Sequence, residues 1–182
     1  MDFKKQFYGT EIEMTGITRQ HAAEVVAQMF GSSIHHRSSY DSWCLYDPQG
    51  KEWKFMSDSS IFAQRREGGR MVPADPEYCT EMVSPKLTYS EMGKLQEVVR
   101  CLRRNGARVN PSCGQHVHVD ASNHTAKSLK NALTIMYSKE DILFKALKVQ
   151  TEREEQYCQK VRPAMLEKIR RMPNSNISME KL

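Results

Sequence analysis

The chain has 182 residues, 39% hydrophobic and 27% charged, with a net charge of +5. That length holds one domain with a real core but not two full ones, and the composition excludes a disordered chain. No run of about 18 apolar residues exists to span a bilayer, and the modest positive charge suits anionic substrates such as nucleotides.

The first residues, MDFKKQFYGTEIEM, lack the apolar stretch of a secretory signal. Within them QFYGTEIEM, residues 6–14, reads as a strand. Glu11 and Glu13 share one face of it, and Ile12 and Met14 take the other. Next, Ala22, Val25, Val26, Met29 and Phe30 recur at helical spacing, with Thr18 as N-cap and Gly31 as stop. Trp43–Tyr46 and Glu52–Ser57 read as the arms of a hairpin turned by Asp47-Pro48-Gln49-Gly50. RREGGRMVPADP is expected to be a mobile surface loop.

YCTEMVSP reads as a third strand segment ending at Pro85. TYSEMGKLQEVVRCLRRNGA then reads as a helix, opened by a Thr88/Glu91 capping box and stopped at Gly106. Its buried face is expected to be Met92, Leu95, Val99 and Leu102, with Arg103 and Arg104 complementing the dipole.

SCGQHVHVD reads as a strand with His116, His118 and Asp120 on one face. Val117, Val119 and Ala121 share the other, which is expected to lie on a core. Beyond it Leu129, Ala132, Leu133, Met136 and Tyr137 form a helical stripe, and Ser138 with Asp141 is expected to recap a second helix. Residues 152–171 read as charged helix and the tail MPNSNISMEKL as frayed, so a domain over 1–150 with an extension over 151–182 is expected. Strands joined by hairpins imply antiparallel pairing, so the fold class is α+β, with helices packed on one sheet face.

Five dispersed cysteines without a C-x-x-C argue against a disulfide framework or zinc ribbon, and a cytoplasmic setting with no membrane partner follows. The basic runs VRCLRRNGAR and EKIRR lack interleaved aromatics, so no nucleic-acid partner is expected.

Carboxylates and imidazoles on four extended segments are candidates for one site. Glu11 beside Glu13 is costly where water is excluded, and a divalent cation removes that cost. Hard oxygen ligands point to magnesium or manganese. An exposed acidic strand face is the plainer reading of either feature alone. Glu81 lies amid apolar neighbours, and so is partnered or at a sheet edge. Asp58 ends the second hairpin arm, where it could reach the working face or simply form a turn. No P-loop or dinucleotide-binding glycine pattern is present, so phosphate would be held through metal and side chains.

In order and spacing, GTEIEM, WKFMSDSSI, TEMVSPKL and RNGARVNPSCGQHVHVD resemble the amidoligase family, relatives of glutamine synthetase and glutamate–cysteine ligase. The resemblance spans residues 7–121 and rests on G-x-E-x-E, D-x-S, E-x-x-S-P and C-G-x-H-V-H-V-D in combination. It implies a mainly antiparallel, curved, glutamine-synthetase-like sheet with helices on one face. It implies ATP-dependent joining of a small-molecule or peptide carboxylate to an amine through an acyl phosphate, with Mg2+ or Mn2+ and ATP as cofactors.

Carried over, Glu11, Glu13 and Glu81 are metal carboxylates; His116 and His118 contact metal or ATP phosphate, with His116 the stronger metal candidate. Asp58 matches a site position without a specified role. Ser84 and Pro85 shape the strand exit, and Cys113 and Gly114 the entry to the histidine strand. The family continues into strands bearing phosphate-facing arginines. Here 62 residues follow Asp120 and read as helical, with Arg153, Arg162, Arg170 and Arg171 on no strand. Either the chain is C-terminally truncated, or a second copy or another chain completes the site, or activity is lost. Two rivals stand beside the ligase: a metal-dependent hydrolase, which His-x-His with carboxylates also suits, and a remnant that binds nucleotide or peptide without turnover.

Overall fold

The strand Tyr8–Met14 (β1) alternates so that Thr10 and Met14 are buried on one side while Glu11 is half-buried on the other. The computed structural model describes residues 3–122, 124–149 and 151–171. Two compact units divide the chain, residues 1–120 and 121–182.

In the first unit, β1 is followed by the helix Arg19–Phe30 (α1). The Thr18 side chain accepts from the His21 amide at 3.2 Å, and Gly31 closes the helix at φ 68°, a conformation that favours glycine. His35–Arg37 (β2), Ser42–Tyr46 (β3) and Glu52–Met56 (β4) follow, then the separate pair Gln64–Glu67 (β5) and Arg70–Pro73 (β6). Thr80–Val83 (β7), the helix Met92–Arg104 (α2) and Gln115–Val119 (β8) complete the unit. The main sheet has six strands in the order β2-β3-β4-β7-β1-β8, and each of its pairings is antiparallel. The fold is therefore α+β.

Register carries one set of side chains to one face. Ile12 pairs with Met82, Met82 with Phe55, and Phe55 with Trp43, all on the side where α1 and α2 lie. Met14, Trp53, Phe55 and Met82 pack there against Ala22 and Val26 of α1 and Leu95, Val98 and Leu102 of α2. The expected capping box of Thr88 and Glu91 is present, after which a short 3-10 turn leads into α2. Val98, not the expected Val99, faces the core; Val99 lies on the open flank of α2.

Three other expectations are corrected. RREGGRMVPADP is not a loose loop, because Gly68 and Gly69, at φ 55° and 83°, turn β5 into β6 as a two-residue hairpin. Val117 and Val119 do not lie on a core: on β8, at the sheet edge, they line an open depression with Met92 and Leu95 of α2, and the two are 60% and 56% exposed. Ser138 does not start a new helix. In the second unit Ala126–Leu147 (α3) runs unbroken through it, and its hydroxyl bonds the Ile135 carbonyl at 2.8 Å.

Two shorter helices follow in that unit, Thr151–Gln156 (α4) and Pro163–Arg171 (α5), the latter with proline at its first position, where no amide is needed. The buried Glu140 of α3 accepts from the Val161 amide at 2.9 Å. Arg153 lies on α4, Arg170 and Arg171 on α5, and Arg162 just before it. The expected frayed tail, residues 172–182, lies outside the described residues. Among the described residues no helix is long and apolar enough to cross a membrane.

Candidate functional site

The sheet face turned away from α1 and α2 gathers the acidic and imidazole residues. Glu13 pairs across β1–β7 with Glu81, and Glu11 pairs across β1–β8 with His116. Met56, at the end of β4, pairs with Glu81. Asp58, two residues on, returns to the same side by the strand's period of two.

Carboxylate oxygens of Glu13, Asp58 and Glu81 all lie within 4.8 Å of one another. Glu13 is 4% exposed, and the Gly114 amide donates to its Oε2 at 2.5 Å. Its Oε1 lies 3.3 Å from His116 Nε2. Glu11 stands slightly apart, with its Oε2 3.3 Å from His118 Nε2.

Glu81 feels this crowding most. Burial, reinforced by the charges of Glu11, Asp58 and Glu13, pushes its carboxyl up to about 7, and His116 opposes the shift. A proton shared into the cluster is one way to relieve three converging carboxylates. A divalent cation is the other, and three hard carboxylate oxygens gathered within 4.8 Å of one another suit magnesium or manganese. The donor set thus fits the metal that the sequence pattern implies.

A shallow cavity of about 610 Å³ opens beside Glu81 and Asp58, and its far wall is Ser38, Tyr40 and Asp41. Tyr40 and Asp41 have φ 55° and 42°, unusual for side-chain-bearing residues. Arg19, 6% exposed, holds this wall: it donates to the Asp41 carboxylate and to the carbonyls of Asp41, Pro76 and Cys79. Nothing in the local sequence announces this wall. The Gly114 amide likewise goes unmarked, because a backbone donor has no residue type to betray it.

A family model described as "Putative amidoligase enzyme" matches residues 4–182. The chain belongs to the amidoligase family. No curated protein and no solved structure matches it.

In this amidoligase, the G-x-E-x-E, E-x-x-S-P and H-V-H segments lie on β1, β7 and β8, adjacent in the sheet in the order β7-β1-β8, and the D-x-S segment follows β4, the strand next to β7. Glu13, Glu81, Asp58 and His116 converge, while Glu11 and His118 form a neighbouring pair. The Ser84 hydroxyl accepts from the Thr10 amide at 2.9 Å, bracing β1 against the strand exit. Cys113, whose thiol donates to Asn110 Oδ1 at 3.6 Å, lies one residue before the Gly114 donor.

Proposed function

We propose that this amidoligase is an ATP-dependent carboxylate–amine ligase working on the open face of a glutamine-synthetase-like sheet. The observation that carries the reading is the meeting of Glu13, Asp58 and Glu81 within 4.8 Å, in a chain whose family name is that of amide-bond ligases. Family membership supports the reaction class, and the donor set supports its metal.

In this reading Glu13, Glu81 and Asp58 hold Mg2+, Glu11 and His118 flank them, and His116 turns its free edge toward phosphate. The ion, when bound, neutralises charge on ATP oxygens and on the phosphoryl group in transfer. The γ-phosphoryl passes to an oxygen of the substrate carboxylate and ADP leaves. The amine nitrogen then attacks the acyl carbon, its proton is lost, and inorganic phosphate departs with the oxygen it acquired. Gly114 and His116 orient Glu13, so the carboxylate is held before the ion arrives, as preorganised electrostatics require. Among the described residues β8 pairs with one strand, β1, and a second copy or a complementing chain would extend the sheet there.

The test is ADP release by the full chain with MgATP, against a panel of acids and amines. ADP formation that needs both an acid and an amine is the expected result. Zinc retained near one equivalent, without MgATP affinity, favours a hydrolase and overturns it. MgATP binding without amine-dependent turnover favours a remnant and also overturns it.

A further inference from the structure

On the opposite side of the sheet, a second cavity lies beside α2 at the end of β1. Its volume is about 420 Å³, within the range of small-molecule sites, about 300–1,000 Å³. Ile12, Met14 and Leu102 form its floor, and Val99 and Val109 its exposed sides. Arg103 and Arg108 line it too, and both also line an adjoining depression of about 570 Å³ with Arg100 and Arg104. An apolar hollow therefore opens onto four guanidinium groups.

The hollow is built by a close backbone approach. Thr15 and Arg108 exchange amide hydrogen bonds of 2.9 and 2.8 Å. A Cβ on Gly16 would lie 2.6 Å from the Gly106 carbonyl oxygen, and Gly16 and Gly106 have φ of 80° and 106°. Glycine at both positions lets the chain after α2 lie against the end of β1.

The positive charge exceeds its local partners. Glu97 takes Arg100 at 2.6 Å, and Arg108 donates to the carbonyls of Arg103 and Ala107. The C-terminus of α2 offsets roughly half a charge more. Arg103 and Arg104 are exposed and have no carboxylate partner among the described residues.

We propose that this place is a second binding site, for a small amphiphilic anion whose apolar stem enters the hollow and whose anionic head rests on Arg103 and Arg104. It is independent of the ligase reading, since its residues come from the helix side of β1, from α2 and from the segment after α2, and none belongs to the carboxylate face.

Octyl phosphate, kept monomeric, is titrated into the full chain, with inorganic phosphate and octanol as its separate halves. Methyl NMR signals of Val99, Val109 and Ile12 report occupancy. Saturable one-to-one binding is expected, at least about tenfold tighter than either half. Arg103→Gln with Arg104→Gln, both at exposed positions where folding tolerates change, weakens it at least about tenfold, as loss of charge-assisted bonds should. Val99→Phe, which fills the hollow, weakens octyl phosphate but not inorganic phosphate. Equal affinity for octanol, indifference to the arginine pair, or signals moving at Val117 and Val119 instead overturn the site. So does retention on phosphatidic-acid vesicles without binding of the monomeric probe.

Discussion

The two faces of the sheet solve opposite problems with the same strands. On the helix side, Phe55, Met82 and Trp53 are fully buried, and the polar groups among them are partnered: Thr10 and Thr80 donate to backbone carbonyls, and the buried Asp47 takes Lys94 of α2 at 2.7 Å. On the open side, Glu13 and Glu81 are drawn together by the same register that packs Ile12 on Met82. One face gains stability from what it buries; the other concentrates charge that folding alone does not reward. The lesson is that β1 specifies core and site at once, residue by alternate residue.

The sharpest separation of the faces is by mutation. Phe55→Ala removes a fully buried ring and should cost about 3–5 kcal/mol in urea unfolding, a large part of a domain's roughly 5–15 kcal/mol. Glu13→Gln, on the other face, keeps shape and its Gly114 and His116 neighbours. It should weaken Mn2+ binding by titration calorimetry by at least about 100-fold, the upper end of what losing a ligand's outer-shell partner costs, while moving the unfolding midpoint little. An equal loss of stability in both variants would erase the distinction between the faces.

Glu81→Gln should cut both ways. Unpaired with a cation, Glu81 has a folded pKa near 7 against 4.5 unfolded, so its contribution is unimpaired below pH 4.5 and stability is lost as pH rises through 7. The glutamine variant should therefore be more stable than the parent at pH 8 by on the order of 2 kcal/mol, and equal to it at pH 4. It should also lose Mn2+ affinity. In the parent that affinity should climb as pH passes 7, because the ion displaces the Glu81 proton. Flat metal affinity between pH 6 and 8 would sink this account of the cluster.

Much of this was legible before any coordinates. The period of two put Glu11 with Glu13 and His116 with His118, and the Thr88/Glu91 box and the Thr18 cap marked both helix starts of the first unit. What alternation does not say is which face a neighbour covers. Val117 and Val119 had the pattern of a core face, but burial depends on how far α2 extends, a tertiary fact. Asp58 could be placed near the site yet not in the carboxylate trio, since its meeting with Glu13 depends on the strand order β4-β7-β1. The β5–β6 hairpin had a local signal, Gly68-Gly69 between short runs, outweighed by its polar composition. The three-residue β2 had too few side chains to show a period.

The smallest effect compares two glutamates shifted in opposite directions. At the start of α2, burial alone would raise Glu91. Bonds from Lys51 Nζ at 2.7 Å, the Thr88 amide at 3.0 Å and Lys94 Nζ at 3.3 Å overcome it and hold the carboxyl at about 2. A carboxyl lowered from 4.5 contributes stability that is complete above pH 4.5 and is lost as pH falls toward 2. Lys51 is 31% exposed, so solvent screens the pair, and the contribution should be only about 1–2 kcal/mol. Glu91→Gln should thus destabilise the chain at pH 7 by about that amount, and the gap to the parent should close as pH drops toward 2. Glu81→Gln shows the mirror image, with a gap that opens as pH rises. If both variants shifted stability the same way across pH 4 to 8, the contrast between a carboxylate that folding has paired and one left for a cation would fail.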